Sequence, residues 1–400
     1  MAAWDELLRE FNATPAHLRA NWLNDKLTAT LADLAQIRND RNVVVYASAF
    51  LQKPQAPSNF VSITMEDVNG FMSVIHGMDF DKPLTIVLHT PGGATNATET
   101  IVEYLRTKFD DIEVIVPLYA MSGGTMISLA ANRLVMGRQS QLGPIDPQLP
   151  MGGRFISARA VQEQFETARN EILNDVTMAH VWAPILSSLG PSLLVEATNA
   201  LAYSENMVCE WLAKYMLAGK PKAVAQATAS HFNNATHHKS HGRRIDRADA
   251  RANNVVVEDM EGPGRQQLQE TVLTLYHLLT ITFEQSPAAK VIMRDGQHQW
   301  VKNWLPPELQ QMLLRQQMGD PAVPTFIPGS PGGAGGPGAP SGPGGPVFVP
   351  DGPGGPRFTP GTPPTADPAA PVQPAPHPTT PAGQPDPPAE PQARMHQKAE

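Results

Sequence analysis

Four near-continuous apolar runs rich in Val and Ile punctuate the first third of the chain: NVVVYASAF at 42–50, PLTIVLHT at 83–90, IEVIVPLYA at 112–120 and RLVMG at 133–137. A strand apolar on both faces has to be covered on both faces, which suits the interior of a parallel sheet. Amphipathic stretches at about 63–77, 96–109 and 123–132 lie between the runs and supply the covering helices. Strand and helix alternating in this rhythm predict parallel βαβ units and an α/β fold. For the helix at 96–109, Asn96 is expected to cap the start and Glu99 to reach back in a capping box, with Ile101, Tyr104, Leu105 and Phe109 as the buried stripe. Upstream, Leu7, Leu8 and Phe11, then Leu18, Trp22, Leu27, Leu31 and Leu34 beyond a break at Pro15, mark a helical arm. Downstream of the four runs come a Pro-Gly-rich connection (GPIDPQLPMGG) and a long helical region at about 157–232. A last short strand, the VVVE run ahead of residue 259, is expected to close the sheet. The stretch 265–284 is apolar almost all round, which predicts burial in the core or against a partner subunit.

Composition limits how much of the 400 residues can join that core. Residues 321–400 hold 24 of the 40 prolines and 14 of the 31 glycines, so this segment cannot bury enough apolar surface to offset its chain entropy and is expected to be disordered. Its pre-extended prolines offer a ligand to a proline-binding partner. The net charge of −8 leaves no broad basic footprint for nucleic acid. The single cysteine, Cys209, fits a reducing, cytoplasmic setting. The opening MAAWDELLREFNATPAHL lacks the basic and apolar regions of a signal peptide, and no run of about 18 apolar residues predicts a transmembrane segment.

Two glycine-bearing turns carry the chemical signal. In YAMSGGTMISLAAN a buried strand runs into a helix of small residues through Ser122-Gly123-Gly124, which exposes a hydroxyl beside the free N–H groups of a helix's first turn. The neighbouring strand ends in Pro91-Gly92-Gly93, at the carboxyl edge where sites assemble in parallel sheets. N–H groups of Gly93 and Gly123, opposed across a gap, make a two-donor oxyanion hole for a Ser122 nucleophile. No P-loop or dinucleotide-binding glycine motif occurs in a strand-to-helix context, and no cofactor is expected.

HTPGG, YAMSGGTMISLAAN and LGPIDPQL together resemble the serine dehydrogenase proteinase family, Clp-fold serine peptidases related to signal peptide peptidase A and the Clp protease. The resemblance is specific over about 40–150 and weaker to about 258. It implies a Clp/crotonase-like spiral of ββα units with a mostly parallel sheet, a serine nucleophile at Ser122 and oxyanion donors at Gly93 and Gly123. It also implies a peptide or protein substrate and a homo-oligomer. The expected organisation is an N-terminal helical arm (1–40), a Clp/crotonase-fold peptidase domain (41–258), a C-terminal helical segment (259–318) and the Pro/Gly-rich tail (319–400).

The base is the open question at the sequence level. Where Clp proteases place a histidine after the strand that follows the serine helix, this chain has Asp146, able to orient a base or to serve as a turn residue. The lysine of one signal peptide peptidase branch has no counterpart, because no lysine lies between Lys108 and Lys214. His241, in a segment (SHGRRIDRADA) that resembles the family's His-x-x-x-Ile turn, is the leading candidate, with Lys239 and His180 as alternatives. The histidines around 231–241 offer nitrogen ligands, but no further cysteine and no H-E-x-x-H helix accompanies them, so no metal is expected. Two rival functions stay open: a catalytically degenerate scaffold that binds a peptide or protein, and a crotonase-type acyl-CoA enzyme using the same two amides for a thioester enolate.

Overall fold

The computed structural model describes residues 4–317; the tail read above as disordered lies outside the described residues. Helices α1 (Trp4–Ala13) and α2 (Arg19–Ile37) precede strand β1 (Asn42–Ser48). A single turn α3 (Ser58–Val61) and helix α4 (Glu66–Ile75) lead to β2 (Leu84–His89), and α5 (Thr95–Arg106) leads to β3 (Ile112–Val116). Then come β4 (Tyr119–Ala120), α6 (Gly123–Leu129), β5 (Arg133–Met136) and β6 (Gln141–Leu142). A hairpin of β7 (Gln148–Met151) and β8 (Arg154–Ser157) precedes α7 (Ala158–Asn174), α8 (Ala179–Ser187), α9 (Leu193–Lys214), α10 (Lys222–Phe232) and the short α11 (Ala235–His238). Helix α12 (Arg247–Ala252), β9 (Val257–Asp259), α13 (Gln266–Gln285), β10 (Ala288–Met293), β11 (Gln299–Asn303) and α14 (Pro307–Gln317) complete the described chain.

The principal sheet runs β11-β10-β1-β2-β3-β5-β9. It is parallel from β1 to β9 and antiparallel at β10 and β11, so the fold is a mixed α/β one with a mostly parallel sheet. Strand periodicity explains the unbroken apolar runs. Val44 and Tyr46 of β1 point into one core with Phe71, Ile101 and Leu212, while Val43, Val45 and Ala47 point into a second with Leu31, Leu34, Leu275 and Phe283. The arm and the all-round apolar helix α13 pack together as the layer over that second face.

Four local expectations meet a different outcome. The run 112–120 is two strands, because Pro117 offers no N–H to the ladder and the chain steps out to pair β4 with β6. The Pro-Gly connection contains the β7–β8 hairpin, turned by Gly152 and Gly153 with φ of +57° and +76°, as a two-residue hairpin turn demands. The segment 259–318 is not wholly helical: AAKVIM and QWVKN form β10, where a lysine interrupts a short apolar run, and β11, where two apolar residues stand among polar ones, and neither gives a clean strand signal. The Asn96–Glu99 capping box does not form. Helix α5 begins at Thr95 with Ala94 at its cap, because the Ala94 N–H is already held by Ile63 O at 3.0 Å. Glu99 instead accepts a hydrogen bond from Tyr203 Oη.

Candidate active site

The carboxyl ends of β2 and β4, bridged at Thr90 and Ala120, bring the two glycine turns together. Beyond β4, Met121–Gly124 forms a tight turn closed by Gly124 N–H to Met121 O at 2.7 Å, with Ser122 at φ +50° and ψ −116°. That is the first central position of a type II′ turn, which glycine normally fills, so holding a serine there strains the backbone by about 1–3 kcal/mol. The strain is sustained by packing: residues 123–129 of the following helix are all buried, Thr125 Oγ1 donates to Ala120 O at 2.7 Å, and Gly143 N–H donates to Thr125 Oγ1 at 2.9 Å. Ser122 itself stays half-buried.

Beyond β2, Gly92 has φ +96° and lies directly beneath the serine turn, where a side-chain carbon would meet Met121 O and Ser122 Cβ at 2.6 Å each. Gly93 is pressed against the backbone of Ile63. Ile63 N–H donates to Gly92 O at 2.7 Å, and Ile63 O accepts from Ala94 N–H at 3.0 Å. A carbon placed on Gly123 would sit 3.3 Å from Gly93 N, so the two amides are neighbours. Among the described residues no acceptor takes the N–H of Gly93 or of Gly123.

Ser122, Gly92 and Gly93 line a cavity of about 600 Å³ whose walls include Ile63, Met126, Ile145, Asp146, Phe155 and His241. The meeting of Asp146 and His241 follows from one strand pairing. Leu142 and Ile245 exchange both backbone hydrogen bonds at 2.9 Å in antiparallel register. Four residues on from Leu142 is Asp146, and four back from Ile245 is His241, so the two fall opposite each other. His241 Nδ1 lies 2.8 Å from Asp146 Oδ1, and Gln148 Nε2 and Ser157 Oγ donate to Asp146 Oδ2 at 2.8 and 2.9 Å. Asp146 is buried, while the imidazole remains about one-third exposed toward the cavity. No direct hydrogen bond joins Ser122 to His241 among the described residues.

The alternative bases lie elsewhere. Lys239 is exposed and lines a separate cavity on the other side of the Asp146–His241 pair. His180 is exposed on α8 and lines neither. His231, His237 and His238 pack with ring centroids 5.0–5.2 Å apart. Burial first, and then the charges of His238 and His237, push His231 down to about 4. No group of three or more His, Cys, Asp or Glu side chains among the described residues is arranged to hold a metal. Sequence reasoning missed the carboxylate partners Gln148, although it lies inside the LGPIDPQL motif, and Ser157, which lies in none, as well as a buried Lys290–Asp67 pair behind Ile63. The lysine was visible as the one charge inside AAKVIM.

Residues 28–183 match the family model described as ClpP-like SDH-type serine proteinase. Two uncharacterised proteins of Methanocaldococcus jannaschii are similar: MJ0137, 38% identical over 124 residues (30% of this chain, 43% of that one), and MJ1495, 34% identical over 116 residues (29% and 38%). The chain thus spans less than half the length of these curated relatives. Among solved structures, a mutant of the 1510-N membrane-bound stomatin-specific protease aligns with 49% of this chain and 75% of its own, at 18% identity and a TM-score of 0.31, a likeness too slight to carry an argument. No helix among the described residues is long and apolar enough to cross a membrane. Over residues 28–183, which hold Ser122 and both glycine turns, the resemblance to the ClpP-like SDH-type serine proteinases is borne out.

Proposed function

We propose that the cavity is the active site of a serine peptidase. His241 takes the proton of the Ser122 hydroxyl as the oxygen attacks a peptide carbonyl, and Asp146, bonded to Nδ1, holds the ring in the tautomer whose other nitrogen is free to accept. The N–H groups of Gly93 and Gly123 receive the oxyanion, His241 returns the proton to the departing amine, and water then hydrolyses the acyl-enzyme by the same route. The observation that carries this reading is the 2.8 Å contact between His241 and buried Asp146 in the wall of the cavity that Ser122 lines. The missing direct bond from Ser122 to the ring is compatible with it, since catalytic hydrogen bonds often tighten only with substrate in place.

A fluorophosphonate probe tests the reading. The wild-type chain should label, Ser122→Ala should not, and His241→Ala should slow labelling by about 10³-fold or more. A wild type that takes no label under any condition removes the enzyme reading and leaves a Clp-fold scaffold for a peptide or protein partner. Thermal stabilisation by acyl-CoA would point to the crotonase-type chemistry instead.

A further inference from the structure

Lys290 is fully buried in the middle of β10, and its ammonium meets the equally buried carboxylate of Asp67, in the first turn of α4, at 2.8 and 2.9 Å. Replacing a buried ion pair by apolar residues of similar size is often neutral or stabilising, so net stability is a poor explanation for this one. Its hydrogen bonds suggest another. Lys290 Nζ also donates to Ser62 O at 2.6 Å, and Asp67 Oδ2 also accepts from Thr64 N–H at 2.9 Å and from the buried Tyr46 hydroxyl at 2.8 Å. The pair therefore grips the backbone on both sides of Ile63.

Ile63 in turn grips the backbone on both sides of Gly93, through Gly92 O at 2.7 Å and Ala94 N–H at 3.0 Å. Two successive clamps, each fixed at two points, run from the interior of the sheet to one amide at the cavity wall. On the reading of the cavity as a serine peptidase site, we propose that the Lys290–Asp67 pair, steadied by Tyr46, is the positioning device that aims the Gly93 N–H at the oxyanion. Lys290, Asp67 and Tyr46 touch no reacting atom; the ion pair acts through Ile63, and Tyr46 also bonds Thr90, whose Oγ1 accepts from Gly92 N–H at 3.2 Å. A donor displaced by about 1 Å loses on the order of tenfold to a hundredfold in rate with no change in how the ligand is held elsewhere.

The test is the double variant Lys290→Met/Asp67→Leu, which removes both charges together and so leaves no uncompensated ion. Fluorophosphonate labelling is measured over a range of probe concentrations, and hydrogen exchange is followed at the Ala94 amide. The expected result is a melting temperature within a few degrees of wild type and a maximal labelling rate lower by about tenfold or more. Half-saturation should stay within about twofold, the pH profile should be unchanged because His241 is untouched, and Ala94 should exchange faster. A folded double variant with wild-type maximal rate and wild-type Ala94 protection overturns the proposal. If the double variant does not fold, Tyr46→Phe, which deletes only one hydroxyl, decides on the same two readouts. A wild type that takes no label brings down the peptidase reading instead, and Ala94 exchange alone then decides the clamp, with unchanged protection overturning it.

Discussion

Replacing Gly93 by alanine should injure the fold and the chemistry together, and the size of each effect follows from distances. The new Cβ would lie 2.3 Å from Ile63 O, 2.4 Å from Ile63 N and 2.7 Å from Ile63 Cα, all backbone atoms that cannot swing aside. Restoring ordinary van der Waals spacing needs the two backbones to part by roughly 1 Å. That breaks the Ile63–Gly92 and Ile63–Ala94 hydrogen bonds, at about 1 kcal/mol each, and adds about 1–3 kcal/mol of overpacking. A loss of about 3–5 kcal/mol is a large share of a typical 5–15 kcal/mol, and it should lower the melting temperature by on the order of 10 °C. The amide moves with its backbone, so labelling of Ser122 by fluorophosphonate should slow by about 10²–10³-fold below the melting transition. Gly77→Ala is the control. Unlike Gly93 it has positive φ (+74°), but no atom lies within 4 Å of its new Cβ, so it should lose only the about 1–2 kcal/mol of left-handed backbone strain and label normally. A Gly93→Ala chain that melts within 2 °C of wild type and labels within about threefold of it would refute the claim that Ile63 anchors this amide.

Two further outcomes concern stability. His89, at the end of β2, is packed among Phe50, Tyr119 and Tyr276, and burial pushes its imidazole down to about 3. An unfolded histidine binds its proton near 6.5, so this residue's contribution is fully present above that pH and is lost as pH falls toward 3, at up to about 1.4 kcal/mol per pH unit. His89→Phe should flatten the dependence of unfolding free energy on pH between 6 and 4 by about that slope, and an unchanged slope in urea titrations would contradict it. Glu113 is buried and accepts from Arg38, from Arg133 at 3.0 Å and from Thr85 at 2.9 Å; although burial opposes its charge, the bond and charge of Arg38 hold the carboxyl below its usual range. Glu113→Ala removes the anion that Arg38 and Arg133 share, though they keep Glu258 and Asp111 as partners, and should destabilise by about 1.5–3 kcal/mol at pH 7; a urea midpoint within error of wild type would count against it.

The sheet was legible because its strands are short, β-branched and apolar on both faces, a pattern set residue by residue in β1, β2, β3 and β5. The two glycine turns were legible for a similar reason: a residue at positive φ, or one without room for Cβ, writes its constraint into the local sequence. Elements whose polarity pattern is mixed were not. Strands β10 and β11 carry Lys290 and Lys302 among their apolar residues, and only their neighbours in the sheet make them strands. The start of α5 was likewise decided from outside the helix, by Ile63.

What the sequence alone determined, then, is an α/β chain with a serine and two glycine turns at strand ends. Tertiary structure decided what stands beside that serine. Asp146 and His241 are 95 positions apart in the chain, and no local propensity links them; the Leu142–Ile245 register brings them within 2.8 Å. Lys290 and Asp67 are 223 positions apart and meet only because β10 lies along β1. Backbone conformation answers to the nearest few residues, whereas a hydrogen bond between side chains answers to distance in space, which only the completed sheet fixes.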